Sequence, residues 1–267
     1  MGGGSYNLMA SKSRSFGYSS KSREEVFSQR HLDPDMDPSR TTIRESRDSE
    51  EHPESFPIII ALDETGSMGH IPEKLIKGVF PTIMEKILKA GVPNPQVMFM
   101  GIGDSSYLRE DAPLQVGQFE SSDELMEKWL TKIYLEGCGG GNGHESYPLA
   151  WFFASRCIET DSWQKRQVKG VLITIGDEPC QKVLSKEELK KYLDEYVEED
   201  ITVSSLLEEV QKEWNVFHIH CDGSKTYDFE ETNWNKLLGI NAIISKSRYG
   251  EDIADIIPKL VIACYNK

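Results

Sequence analysis

The sequence predicts an α/β protein with a doubly wound, mostly parallel sheet and helices on both faces. Apolar runs at Ile58 to Leu62 and Val97 to Ile102 read as strands buried on both sides, and Val168 to Ile175 reads as a third buried strand. Between and after them lie segments whose apolar residues recur at helical spacing. The first and third runs also lead directly into acidic loops, at Asp63 and Asp177. That is where open α/β sheets collect ligands, beyond the carboxyl ends of their strands.

The domain is expected over residues 56–265, preceded by a flexible or partly ordered N-terminal tail over residues 1–55. Residues 1–23 are rich in glycine and serine and carry Lys12, Arg14, Lys21 and Arg23 with no acidic residue. Such a composition cannot bury enough surface to fold alone. Residues 24–55 become mixed and acidic, and the alternating charges of Arg44, Glu45, Arg47 and Asp48 offer a way to pin this segment to the domain.

A chain of 267 residues with 38% hydrophobic content can bury a sizeable core. Its formal net charge of −14 argues against nucleic acid or an anionic membrane as the main partner, since both require basic surface. The five cysteines, Cys138, Cys157, Cys180, Cys221 and Cys264, contain no CxxC pair. Neither a disulfide framework nor a zinc site is suggested, and a reduced, cytoplasmic setting is expected. The N-terminus lacks the apolar core of a signal peptide, and no run approaches the ~18 apolar residues of a membrane span.

After the first strand, Leu75, Val79, Ile83 and Ile87 recur beside Ile76, Phe80, Met84 and Leu88, giving a helix with a wide apolar face. A bend is expected at Pro81, aided by Gly78, and Gly91 and Pro93 end the helix. Leu114 to Phe119 alternates as an edge strand does, and Ser121 with Glu124 forms a capping box for a helix carrying Leu125, Trp129 and Ile133. Ser185 with Glu188 caps the helix KEELKKYLDEYVEED, followed by a helix through Leu206, Leu207 and Val210. Trp214 to Cys221 is a further strand with His218 and His220 on one face. No third ligand stands at zinc spacing, so the pair reads as sheet packing. Helices over 230–239 and 251–264, the second holding Pro258, bracket a short strand from Asn241 to Ser245.

The chemistry gathers in FPIIIALDETGSMGHIP, residues 56–72. Asp63, Thr65 and Ser67 alternate along a tight loop and place one carboxylate and two hydroxyls within reach of a hard cation such as Mg²⁺ or Mn²⁺. A second stretch, LEGCGGGNGHESYPLAWFFA, is glycine-rich where the backbone must approach a ligand or another loop closely. It lacks the lysine and hydroxyl of a P-loop and does not complete GxGxxG, so it is not read as a phosphate cradle. DETGSM resembles the DxSxS signature of the von Willebrand factor type A domain, with Thr65 where serine is commoner. GGGNGHES resembles the GGGDGPED string of A domains joined to alpha-type kinases, and GDEPC resembles the third metal loop of the family.

The resemblance implies the same α/β fold and a metal-ion-dependent adhesion site built from Asp63, Thr65, Ser67, Glu145 and Asp177. It also implies a bound Mg²⁺ or Mn²⁺ and a protein partner whose acidic side chain completes the metal shell. Asn142 and His144 are rival ligands in the second loop. The implied function is divalent-metal-dependent protein interaction without enzymatic activity. A metal-dependent phosphoesterase is one alternative, but Thr65 stands where the DxDxT loop of such enzymes needs its second aspartate. A scaffold that serves an AAA+ ATPase through its tail or acidic helices, without metal, is the other. Glu145 replaces the usual threonine, and three carboxylates around one divalent ion leave a net negative site that pulls less on a fourth. The metal is therefore expected to be partly structural or to favour neutral and hydroxyl-bearing groups. Glu145→Thr should weaken metal binding in titration calorimetry; tighter binding would overturn this reading.

Overall fold

A computed structural model describes residues 4–41, 43–66, 68–105, 112–137, 144–221, 232–247 and 250–266. The central sheet has six strands in the order β10-β9-β6-β2-β3-β4: β2 (Phe56–Asp63), β3 (Pro95–Ile102), β4 (Leu114–Val116), β6 (Gly170–Gly176), β9 (Trp214–Cys221) and β10 (Ala242–Ser245). All pairings in it are parallel except that of β3 with the edge strand β4. Two small ribbons lie outside the sheet. β1 (Arg44–Ser46) pairs in parallel with β5 (Ile158–Thr160), and β7 (Val183–Leu184) pairs antiparallel with β8 (Ile201–Thr202).

Every residue of β2, β3 and β6 is buried, as expected of mainly apolar strands covered on both faces. Period-two alternation divides each strand between two cores. Ile59, Ala61, Met98, Met100 and Leu172 face one; Ile58, Ile60, Val97, Phe99 and Ile173 face the other. The first core is covered by α6 (Tyr147–Arg156), α8 (Lys186–Leu193), α9 (Val203–Val210) and α10 (Trp234–Leu238). The second is covered by α3 (His70–Lys74), α4 (Phe80–Lys89), α5 (Asp123–Thr131) and α11 (Ile253–Tyr265). A short helix, α7 (Asp161–Arg166), follows β5. In α6, Tyr147 through Ala154 are all buried, so this helix is apolar around its whole circumference.

The structure differs from several sequence expectations. The break near residue 80 falls at Gly78, which has a φ of 151° inside a π-helical turn, Leu75–Val79. Pro81 sits in the first turn of α4, where its missing N–H is no loss. Ser122, not Ser121, caps α5 by accepting from Leu125 N, and no capping box forms there. The Ser185–Glu188 capping box does form, but α8 stops at Leu193 because Asp194 turns into the left-handed region. β6 begins at Gly170 rather than Val168. α11 runs through Pro258.

The N-terminal stretch, where composition suggests a tail, is docked over its described length. α1 (Leu8–Ser19) is capped by Asn7, and α2 (Arg23–Val26) by a Ser22–Glu25 capping box. Ser15 Oγ donates to the Ile76 carbonyl (2.8 Å) inside the π-helical turn. Arg14 pairs with two buried carboxylates of α5, Asp123 and Glu127 (2.7 Å from Nε to the latter). Asn7 N also donates to Asp123 (2.8 Å), and Ser11 Oγ to Glu127 (2.7 Å). Further along, Val116 N donates to the Met36 carbonyl (2.8 Å) and Arg44 donates to the Val116 carbonyl (3.1 Å), covering edge strand β4. Arg47 lies against Glu45, Glu159 and Asp161, and Arg166 against Asp48. Removing Arg14 leaves Asp123 and Glu127 buried without their cation. Arg14→Ala is expected to lower unfolding free energy by about 1–3 kcal/mol in a urea titration at neutral pH. No loss would mean that the helix contributes nothing to the fold.

Candidate metal centre

Asp63 continues the odd-numbered row of β2, whose side chains face α6. It is fully buried. Its Oδ1 accepts from Thr65 N (2.9 Å) and Thr65 Oγ1 (2.6 Å), and its Oδ2 accepts from Tyr147 Oη (2.9 Å). A carboxylate offers about four lone-pair directions, so three donors fix its orientation and leave room for one further ligand.

The register of β2 on β6 ends at Leu62 opposite Ile175, which leaves Asp63 as the last residue of β2 and Asp177 just past the end of β6. Gly176 lies between them in space. A Cβ there would sit 1.8 Å from Tyr147 Oη and 2.9 Å from Asp63 Oδ2, so only glycine fits. The second loop is fastened to the third, with Glu145 N donating to the Pro179 carbonyl (3.1 Å), and to the end of β3, with Ser146 N donating to the Gly103 carbonyl (3.1 Å). Behind the third loop, Asn233 exchanges two 2.9 Å hydrogen bonds with the Cys180 backbone, and Trp234 Nε1 donates to the Glu178 carbonyl (3.0 Å). Three loops from distant parts of the chain thus share one frame.

Burial, and then the charge of Asp177, push the Asp63 carboxyl up to about 7. The Tyr147 hydroxyl is raised well above its ordinary value by burial and by Asp63, Glu145 and Asp177, and stays a neutral donor. Glu178 is likewise pushed up to about 7 by burial, Asp177, Asp63 and Asp104. The site is a concentration of negative charge in apolar surroundings.

Of the residues expected from sequence, the structure brings Asp63, Thr65, Glu145 and Asp177 to the same end of the sheet, all buried. Ser67 and Asn142 lie outside the described residues. His144 is partly buried on the wall of an adjacent cavity. Sequence reading passed over Tyr147, although its place in the first turn of α6, directly after the second loop, was a usable signal. It also passed over Asp104 and Glu64, both fully buried. His218 stacks on Trp234 (ring centroids 3.5 Å apart) and meets Thr174 Oγ1 through Nδ1 (2.9 Å), which is sheet packing as expected. Among the described residues no three His, Cys, Asp or Glu side chains form a metal cage by themselves. The donors that do converge are hard oxygens, carboxylates and the Thr65 hydroxyl. They fit a cation that keeps water in its shell better than one enclosed by protein ligands.

No family model and no curated protein matches the sequence. In fold the chain is similar to the pilus adhesin SpaC from Lactobacillus rhamnosus GG in its open conformation. The TM-score is 0.53 at 11% identity, over 81% of this chain and 31% of that one. Weaker likenesses include a von Willebrand factor type A protein from Catenulispora acidiphila (TM-score 0.43, 10% identity, 79% of this chain and 43% of that one). Another is proximal thread matrix protein 1 from the mussel byssus, with a zinc-occupied MIDAS motif (TM-score 0.48, 14% identity, 79% and 46%). The likeness to the pilus adhesin agrees with the doubly wound α/β fold. The chain spans less than half the length of each of these proteins.

An aspartate whose folded pKa is raised from 3.8 to about 7 holds its proton more tightly folded than unfolded. The resulting penalty is fully present above about pH 7 and is relieved as pH falls towards the ordinary carboxylate value. Chelator-treated protein is therefore expected to melt higher at about pH 6 than at about pH 8; Glu178, also pushed up to about 7, adds to the difference, and Asp63→Asn should reduce it and Asp63→Asn with Glu178→Gln should remove most of it. A melting temperature that falls on acidification in the wild type, with no change in either variant, would contradict this electrostatic account.

Proposed function

We propose that the protein is a divalent-metal-dependent protein-interaction module of the A type, without enzymatic activity. The domain spans residues 56–265, and residues 1–55 form an attached N-terminal segment. The observation that carries the reading is the placement of Asp63 at the end of β2 and of Asp177 just past the end of the adjacent parallel β6, with Glu145 held against the third loop by its backbone. Asp63, Thr65, Ser67, Glu145 and Asp177 would hold Mg²⁺ or Mn²⁺. When bound, the ion supplies an electrophilic position for an oxygen of a partner protein. Tyr147 and Thr65 keep the Asp63 carboxylate in one orientation, and Asn233 and Trp234 hold the third loop in register.

The partner is a protein rather than nucleic acid or membrane, which the net charge of −14 supports. Among the described residues no helix is long and apolar enough to cross a membrane. A cytoplasmic setting is supported by Cys157, Cys180, Cys221 and Cys264, which are buried free thiols. Calorimetric titration of Mg²⁺ and Mn²⁺ into chelator-treated protein tests the reading. Saturable binding in the wild type and its loss in an Asp63→Ala, Ser67→Ala double variant are expected. A wild type that binds neither ion would sink the metal mechanism while leaving the fold intact.

A further inference from the structure

Beyond the third loop, at the side of the site, lies a cavity of ≈ 740 Å³ walled by Ser105, His144, Gln181, Lys182, Glu188 and Lys236. Its size falls within the roughly 300–1,000 Å³ typical of ligand sites. None of Asp63, Thr65, Glu145 or Asp177 lines it.

One wall carries an acceptor fixed by its neighbours. Gln181 Nε2 donates to both oxygens of Glu188 (2.8 and 3.1 Å). Glu188 also accepts from Ser185 N (2.9 Å), Ser185 Oγ (2.7 Å) and Ser105 Oγ. These hydrogen bonds hold its carboxyl below the ordinary value against the effect of burial, so it is anionic and can only accept. The Gln181 amide must then present its NH₂ to Glu188, which turns Oε1 away. Gln181 is 7% exposed, and its Oε1 is buried with no donor among the described residues. A buried acceptor in that state calls for an N–H from outside. His144 Nδ1 is buried without a partner in the same way.

The cavity also holds cations. Lys182 and Lys236 are exposed at its wall and stand in no ion pair among the described residues. On a chain of net charge −14 they offer a local positive site beside the acidic centre. Pro179 and Val183 add apolar surface for an aliphatic stem.

We infer that this cavity binds an acidic peptide segment of a partner protein, whose backbone N–H donates to Gln181 Oε1 while an Asp or Glu carboxylate engages Lys182 and Lys236. The inference rests on the reading of the protein as an interaction module but not on its metal. It also gives an acidic partner a place to bind that the negatively charged metal loops do not.

Fluorescence anisotropy with the full chain tests it, using a fluorescein-labelled peptide Gly-Ser-Glu-Glu-Ser-Gly and its Gln-Gln counterpart, each in Mg²⁺ and in EDTA. The wild type should bind the glutamate peptide about tenfold more tightly than the glutamine peptide in both buffers. A Lys182→Ala, Lys236→Ala variant should lose that preference with an unchanged melting temperature. Gln181→Leu should weaken both peptides alike. Equal affinity for the two peptides, no binding of either, or a preference that survives loss of both lysines would overturn the inference. So would displacement by free glutamate at the concentration of peptide that suffices, which would make the cavity a small-carboxylate site. Binding abolished by EDTA would transfer recognition to the metal and also overturn it. Peptide binding intact in EDTA beside a failed Mg²⁺ titration would instead remove the metal reading and leave this one standing.

Discussion

The pairing of β2 with β6 is the constraint from which the rest follows. It runs in register to Leu62 and Ile175 inside a buried, mainly apolar layer, and so the two segments that leave it bring Asp63 and Asp177 to the same end of the sheet. Two carboxylates placed there repel each other and lose water. The surroundings answer with the Thr65 backbone and hydroxyl and with the Tyr147 phenol on Asp63. Gly176 is required because Tyr147 fills the space a side chain would take, and Tyr147 in turn is held edge-on by His218 and Trp234. Packing, backbone choice and electrostatics at the site are thus consequences of one strand register.

The strands and their acidic ends were legible in the sequence because a strand buried on both faces leaves an unbroken apolar run, and such runs are local. What escaped was long-range. The Tyr147–Asp63 bond joins residues 84 positions apart, and although Tyr147 follows the second loop directly, its carboxylate partner is set only by the folded chain. The docking of α1 depends on Arg14 meeting Asp123 and Glu127, more than a hundred positions away, while the helix itself exposes Met9 and Phe16 and looks locally unfit to pack. Adjacent serines at 121 and 122 carry the same capping signal, and only the path of the chain into α5 selects the second. The bend expected at Pro81 with help from Gly78 falls at Gly78 alone, because a proline in a first turn disturbs little. Ligand identity at the second loop was legible as a choice among residues, and the backbone tie from Glu145 to Pro179 gives Glu145 a defined place beside the third loop.

The cover over β4 has a consequence for how copies of this chain associate. Exposed strand edges recruit further strands, and a protein with two open edges can propagate without end. Here one edge is already occupied, since Val116 is bonded on its outer side by Met36 and Arg44. The opposite edge of the central sheet is β10, which among the described residues pairs with β9 alone. Ile244 on that strand is half exposed, as an adhesive edge would be. The N-terminal segment thus shields the β4 edge of the sheet as well as bracing the helices it packs on.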